Sequence, residues 1–256
     1  FYPVVAHWLW SDRGWLSRRG TSPVLGGAFD FAGGGVVHVT GGVMALVAAR
    51  IVGPRAGRFA PPGQPRQPPV KMQGNSAVLV ALGTVLLWIG WLGFNCGSIA
   101  DITRPGAATL AAQTAVRTTL AGSAGSLMAV AIARVRKVTG PMGVWGVWSL
   151  EHACNGLLAG LVSITAGAPV VSEFGALAIG AVGGALYYSV SYFVLHYLHI
   201  DDVIDAFAVH GACGLWSLVA VGLIADGSMP PSRPGGPPGV PTIGAFAGGG
   251  RVAAGR

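Results

Sequence analysis

Two pairs of an aspartate and a histidine recur at the same spacing in distant parts of the sequence. Asp30 lies eight residues before His38, and Asp202 lies eight residues before His210. Each histidine also follows a valine and is followed four residues later by a glycine: Val37 and Gly42 in the first case, Val209 and Gly214 in the second. An imidazole accepts and donates hydrogen bonds and titrates near neutral pH. A pair of histidines could therefore bind a small polar molecule or move a proton.

The second pair lies at the start of an apolar stretch. Residues 201–225 begin with three carboxylates, Asp201, Asp202 and Asp205, and continue as an apolar segment about long enough to cross a bilayer as a helix. A histidine inside such a helix is costly unless it faces protein or water, which makes His210 a candidate functional residue. The alternative is a structural histidine that packs against a neighbouring helix and forms a hydrogen bond with it.

The matched spacing predicts an internal repeat. Eight residues span slightly more than two helical turns, so the acid and the histidine of each segment are predicted to share one helix face. Two such segments in an apolar chain are typical of transporters built from inverted repeats, whose site lies at the repeat interface. The alternative is two unrelated helices with the same spacing by chance.

The composition indicates a membrane protein. Of 256 residues, 52% are hydrophobic and only 10% are charged, with a mean hydropathy of +0.60, whereas soluble domains average about 25% charged residues. The net charge of +7 comes from arginines clustered in a few loops and does not indicate a nucleic-acid partner. The three cysteines show no metal spacing, and no catalytic motif is present. We therefore predict no enzyme activity and no cofactor.

The hydropathy pattern predicts an all-α polytopic bundle. Residues 1–10 are predicted to be the end of a preceding helix, and six complete helices are predicted to follow, at residues 28–52, 76–98, 107–133 with a break at Arg117, 147–169, 174–198 and 204–225. Residues 1–226 form the predicted transmembrane domain. Residues 227–256 are a Gly/Pro-rich tail that is predicted to lead into a truncated last helix.

Loop charges predict the orientation of these helices. Residues 50–71 carry five basic residues and no acid, and Arg134, Arg136 and Lys137 are likewise unopposed. The positive-inside rule places both loops in the cytoplasm, so the two histidine segments should run antiparallel. The loop at residues 11–27, with three arginines against one aspartate, disagrees with this orientation.

A third informative stretch is residues 88–98, WIGWLGFNCGS. Trp91 and Phe94 are three residues apart and share a helix face, while Asn95 and Ser98 add polar groups towards the end of the same helix. The common interpretation is an aromatic belt at the membrane interface. The alternative is an aromatic and hydroxyl site that recruits a small cation through cation–π attraction.

Five motifs in order resemble the ammonium transporter (Amt/Mep/Rh) family, and their wording is most similar to its plant and algal branch. They are FYPVVAHWLW, FDFAGGGVVH, LLWIGWLGFNCGS, ACNGLLAGLVSITAGA and DDVIDAFAVHGACG. The resemblance covers residues 1–227. It implies a transmembrane transporter of ammonium or ammonia, with methylammonium as an analogue, that works as a homotrimer in the plasma membrane with one pore in each subunit.

The resemblance also implies roles for particular residues. Those that would bind the cation at the entrance are Trp10 and Ser98, with Asp30 nearby. Those that would gate and line a narrow apolar pore are Phe94, Trp91, His38 and His210, and Asp202 would be the structural acid related to Asp30 by the repeat. The charged form would be held outside, and uncharged ammonia would pass the histidines, which could relay the proton separately.

The chain departs from the family pattern in three ways. By the resemblance it lacks the first three helices and most of the fourth, and it stops near the start of the last one. We therefore expect a fragment that alone does not transport, because one wall of the pore is missing. The loop at residues 11–27 is longer than in bacterial relatives. Arg117 lies within a helix, where an uncompensated arginine costs at least ~2.5 kcal/mol. It must pair, snorkel, or face an intersubunit or water-filled surface.

Two other functions fit the same motifs. A non-transporting ammonium sensor on this fold would carry the same entrance and histidines. A membrane protein with a haem held by two axial histidines would also need a histidine pair at membrane depth, but it has no use for the aromatic entrance or the repeat-related acids.

Overall fold

The computed structural model describes residues 1–226 except 19, 21, 22, 62, 66, 73 and 139–147; the predicted tail at residues 227–256 lies outside the described residues. The described part is mostly α-helical and has no β-strand. Its α-helices are α1 Tyr2–Trp10, α2 Thr40–Val52, α3 Ala77–Gly97, α4 Ala107–Val138, α5 Leu150–Ile164, α6 Glu173–His196 and α7 Cys213–Ile224. Two π-helical segments, Gly34–Val39 and Phe207–Ala212, run directly into α2 and α7.

The predicted all-α membrane architecture is confirmed. Five helical segments are long and apolar enough to cross a bilayer, at Gly34–Val52, Ala77–Gly97, Ala107–Arg136, Glu173–His196 and Phe207–Ile224. The fourth predicted helix, at residues 147–169, is shorter than expected. It is apolar but spans only Leu150–Ile164, and residues 165–171 form a turn instead.

Serine side chains mark where three of these helices begin. The hydroxyls of Ser76, Ser149 and Ser172 accept hydrogen bonds from backbone amides three residues further on, at the starts of α3, α5 and α6. A capping hydroxyl satisfies one of the amides that a helix N-terminus leaves unpaired. A single serine before each apolar run therefore marks the start of the helix.

Helices α4, α5 and α6 pack backbone to backbone. A Cβ atom added to Gly160 of α5 or to Gly180 of α6 would collide with the carbonyl oxygen of Ala121 of α4, and Ala121 is completely buried. Small residues allow this approach, as is usual where helices pack within a bilayer. Of the three, α5 contacts both π-helical segments and α6 contacts the second one, while α4 packs behind them.

Arg117 neither breaks α4 nor faces lipid. The helix runs without interruption from Ala107 to Val138, and Arg117 is only 4% exposed. Its Nε lies 3.3 Å from the carboxylate of Glu173, and its Nη1 donates to the carbonyl of Pro169 at 3.2 Å and weakly to that of Ala168 at 3.5 Å. Of the three outcomes expected for this arginine, pairing is confirmed.

An ion-pair cluster joins the end of α2 to the start of the second histidine segment. Asp201, whose side chain is fully buried, accepts hydrogen bonds from Arg55 at 2.7 and 2.8 Å and lies 3.1 Å from Arg58 Nε. The Arg55 guanidinium holds the pKa of Asp201 below its usual range. This contact places the two loops at the same end of the bundle, as the loop charges predict.

Candidate functional site

His38 and His210 meet at the centre of the site. Their Nδ1 atoms are 3.2 Å apart, and their rings are 5.2 Å apart between centroids and inclined by 18°. At this distance one Nδ1 donates a hydrogen bond and the other accepts it, so the two rings hold complementary tautomers. The predicted approach of the two histidines is confirmed.

The glycine that follows each histidine by four residues makes this contact possible. A Cβ atom on Gly42 would collide with the backbone of Gly211, and one on Gly214 would lie 2.6 Å from the carbonyl oxygen of Gly34 and 3.1 Å from the Cβ of His38. Each glycine therefore lies against the start of the opposite segment. The two segments cross in opposite directions, as predicted for an inverted repeat.

Asp30 and Asp202 lie before their helical segments rather than on them, so the prediction that each shares a helix face with its histidine is wrong. The Asp30 carboxylate accepts hydrogen bonds from the amides of Gly33, Gly35 and Val36 at 2.9–3.0 Å. The Asp202 carboxylate accepts from Ala206 and Phe207, at 2.9 and 2.7 Å. Both acids cap the unpaired amides at a helix start, where negative charge is favourable.

An aromatic wall covers the histidine pair on one side. Trp91 stacks on His38 with 5.0 Å between ring centroids and 12° between ring planes. The angle between the ring planes of Trp91 and His210 is 9°. Phe94 lies 5.5 Å from His38 and 5.9 Å from Trp91. The structure thus brings together four of the residues predicted to gate and line a pore.

These side chains border an open cleft of about 500 Å³. Its walls are apolar except for one imidazole, and the lining residues are His38, Gly83, Leu86, Leu87, Gly90, Trp91 and Phe94. The Nε2 atom of His38 is buried and has no hydrogen-bond partner among the described residues. The cleft is therefore bordered by one imidazole on a wall that is otherwise apolar.

The predicted entrance residues belong to two different parts of the site. Trp10, at the end of α1, donates a hydrogen bond from its indole N–H to the backbone carbonyl of Asp30 at 2.7 Å, so its side chain packs against the loop that carries this acid. Ser98 lies at the end of α3, where its hydroxyl donates to the carbonyl of Phe94 at 2.8 Å. Burial raises the pKa of Asp30, although hydrogen bonds from backbone amides oppose the shift.

Sequence reasoning missed a polar cluster around Asp205. Its partly buried carboxylate accepts hydrogen bonds from Ser191 at 2.7 Å and from Tyr187 and Asn155, each at 3.2 Å. Desolvation raises the pKa of Asp205, and its backbone has a φ of +56°, a conformation that costs free energy in residues other than glycine. The only sequence signal was a third aspartate in the DDVID run.

The geometry argues against the haem interpretation. An iron bound by both histidines would have to lie between their ring nitrogens and hold them apart, whereas His38 and His210 are within hydrogen-bonding distance. Among the described residues, no group of three or more His, Cys, Asp or Glu side chains could hold a metal ion.

Comparison with known sequences gives one family. Residues 1–251 match the Ammonium Transporter Family. Ammonium transporter 1 member 3 of Solanum lycopersicum is 42% identical over 232 residues, which is 88% of this chain and 48% of that protein. Ammonium transporter 1 member 4 of Arabidopsis thaliana is 39% identical and covers 99% of this chain and 50% of that protein. The resemblance to plant sequences is confirmed.

Solved structures show the same fold. The crystal structure of Saccharomyces cerevisiae Mep2 aligns with a TM-score of 0.68 and 32% identity, over 88% of this chain and 44% of that one. A structure named Sensor Amt Protein aligns with a TM-score of 0.73 and 31% identity, over 89% of this chain and 52% of that one. The chain spans about half the length of the relatives that it matches.

Proposed function

The chain belongs to the ammonium transporter family, and from this premise we propose that it moves ammonium across a membrane, with uncharged ammonia passing the His38–His210 pair. The family is one of transporters and not of enzymes. The observation that carries the proposal is the contact of the two imidazoles, 3.2 Å apart, beside an apolar cleft walled by Trp91 and Phe94.

The entrance is proposed to hold the charged form. The indole face of Trp10 attracts a cation, and the Ser98 hydroxyl can accept a hydrogen bond from it. Asp30, whose carboxylate is already bound to three amides, contributes negative potential and fixes the loop that positions Trp10. The three residues would thus act together without all touching the cation.

The cleft is proposed to admit the neutral form. Transferring a bare ammonium ion from water to an apolar wall is strongly unfavourable, whereas ammonia loses much less hydration free energy. Ammonia still needs hydrogen-bond partners inside, and the histidine pair supplies both a donor and an acceptor. The proton left behind can move along the hydrogen-bonded imidazoles, since each ring carries two nitrogens that can donate or accept.

The proposed location and the proposed oligomeric state also rest on membership of the family. The five apolar spans support an integral membrane protein. We propose the plasma membrane as its location and a homotrimer as its assembly, in keeping with the resemblance.

The test is growth of a cell that lacks ammonium uptake. The chain is expressed alone and also joined to the parts of the tomato relative that it does not cover. We expect the joined protein to restore growth on limiting ammonium and to take up labelled methylammonium, and the His38→Ala variant to lose most of this uptake. No rescue by a correctly inserted joined protein, or full uptake without His38, would overturn the proposal.

A sensor is the second candidate, because one structural neighbour at 31% identity is named Sensor Amt Protein. A sensor binds ammonium without net transport. Binding of ammonium to the purified joined protein, together with no uptake in vesicles that contain it, would favour the sensor over the transporter.

A further inference from the structure

The turn that joins α5 to α6 is part of the core. Residues 165–171 are all buried, although turns between helices ordinarily lie on the surface and are variable. Backbone groups buried in a turn need partners. The partners of this turn come from several elements of the candidate site.

Thr165 connects the turn to the aromatic wall. Its hydroxyl accepts a hydrogen bond from the indole Nε1 of Trp91 at 3.1 Å and donates one to the carbonyl of Leu161 at 2.8 Å. Thr165 is completely buried, and Trp91 is 7% exposed. The indole N–H of Trp91 therefore has a fixed direction, and the plane of the ring is fixed with it.

The next peptide groups connect the turn to both histidine segments. The carbonyls of Thr165 and Ala166 accept hydrogen bonds from the amides of Ala32 and Phe31, at 3.3 and 3.1 Å, which lie just after Asp30. The amide of Ala166 donates to the hydroxyl of Ser217 in α7 at 2.8 Å. The turn thus holds Trp91, the Asp30 loop and the helix that follows His210 in one frame.

We propose that Thr165 is a positioning residue for the site: its hydroxyl holds the Trp91 indole in the plane that stacks on His38, and so sets how closely the apolar cleft discriminates among small amines by size. The evidence is the near-parallel arrangement of the three rings, with 12° between Trp91 and His38 and 18° between His38 and His210. An indole that turns out of this plane changes the wall along which an amine passes.

The Thr165→Val variant separates hydrogen bonding from packing. Valine has nearly the shape of threonine but accepts no hydrogen bond, so the Trp91 N–H would remain buried without an acceptor. The ring then gains by turning towards another acceptor, and its stacking on His38 loosens. Thr165→Ser keeps the hydroxyl and serves as the matched control.

The first test measures the hydrogen bond itself and does not depend on transport. In protein with ¹⁵N-labelled indole groups, the Trp91 signal is assigned by its loss in Trp91→Phe. We expect its N–H proton to resonate downfield of that of Trp88 and to exchange with solvent more slowly, because Trp88 Nε1 is buried without a partner in the described part of the chain. A Trp91 signal upfield of Trp88 in the unmodified protein would overturn the proposal, even if Thr165→Val does not fold.

The second test rests on the proposed function and measures selectivity in the uptake assay. A shaped apolar pocket can distinguish two substrates that differ by one methyl group by ~10-fold or more. We expect Thr165→Val to lose part of this selectivity, so that the methylammonium-to-ammonium uptake ratio rises by ~3-fold or more. Thr165→Ser should retain the original ratio. In a Trp91→Phe background, Thr165→Val should have no further effect.

The outcomes of the two tests keep the two ideas distinct. An unchanged ratio in well-expressed Thr165→Val, or an equal change in Thr165→Ser, overturns the selectivity role while ammonium uptake itself stands. Absence of any uptake overturns the proposed function. The position of the Trp91 N–H signal then still decides whether Thr165 positions the ring.

Discussion

Gly42 and Gly211 pack backbone to backbone: a Cβ atom on Gly42 would lie 2.5 Å from the Cα of Gly211. This contact sets the distance between the two segments at the level of the histidines. Gly42→Ala must push the segments apart, and overpacking of this kind costs ~1–3 kcal/mol. We expect lower thermal stability in detergent and loss of uptake, because His38 and His210 would separate.

Gly41→Ala is the matched control for this prediction. A Cβ atom on Gly41 meets nothing within 4 Å, and alanine favours the helix over glycine by roughly 0.5–1 kcal/mol. Gly41→Ala should therefore be at least as stable as the original protein. Equal stability of the Gly42→Ala and Gly41→Ala proteins would contradict the argument.

A second prediction concerns the two roles of Trp10. Trp10→Leu removes both the cation-attracting ring and the hydrogen bond to the Asp30 carbonyl, whereas Trp10→Phe removes only the bond. Loss of the ring contact should weaken apparent affinity for methylammonium by ~0.5–2 kcal/mol. We expect a higher half-saturating concentration for Trp10→Leu than for Trp10→Phe. An unchanged concentration dependence in both would count against the entrance site.

Arg117 gives a third prediction. Arg117→Met removes hydrogen bonds to the 165–171 turn, and we expect a loss of ~1–3 kcal/mol in unfolding free energy. Glu173→Gln leaves the contacts to Pro169 and Ala168 in place, and because the Glu173 side chain is 51% exposed, its loss should be at most ~1 kcal/mol. Thermal unfolding in detergent compares the two. A larger loss for Glu173→Gln would show that the ion pair, and not the turn contact, dominates.

The Asp201 cluster gives a prediction about pH. Arg55 lowers the folded-state pKa of Asp201, so its contribution is fully present above the unfolded-state value of ~3.9 and is lost as the pH falls through the folded-state value. We expect the melting temperature of the original protein to fall more steeply than that of Asp201→Asn as the pH drops below ~4. Asp12→Asn, in a different loop, is the control. Parallel curves for all three proteins would contradict the assignment.

The contact between the two histidines could be predicted because the same Asp-to-His spacing occurs twice in the sequence. This spacing identified His38 and His210, and the loop charges predicted that the two segments run antiparallel. The reason for the glycine four residues after each histidine required coordinates, since spacing alone does not show that Gly42 faces Gly211. The positions of the acids could not be predicted from helical periodicity, because carboxylates that cap a helix lie outside it.

Individual side-chain contacts between distant parts of the chain could not be predicted from the sequence. Trp91 and Thr165 are 74 residues apart, and a threonine in an apolar stretch has no distinctive pattern. The short α5 was missed for the same reason, because a buried turn is as apolar as a helix. The Arg117 pairing was predicted only as one of three possibilities, since two of its partners, Ala168 and Pro169, lie on the turn that hydropathy had assigned to α5.

The burial of residues 165–171 limits how the sidedness of this protein can be mapped experimentally. Epitope insertions and glycosylation acceptors need a connection that reaches solvent and tolerates added chain. The segment between α5 and α6 joins two apolar helices, yet an insertion there would disturb Trp91, the Asp30 loop and α7 together. The segment between α3 and α4 is exposed instead: Ile102 is 58% exposed there, and a Cβ atom on Gly106 meets nothing within 4 Å. A reporter belongs at residues 100–106, and a silent reporter at 165–171 would indicate a damaged fold rather than an inward-facing loop.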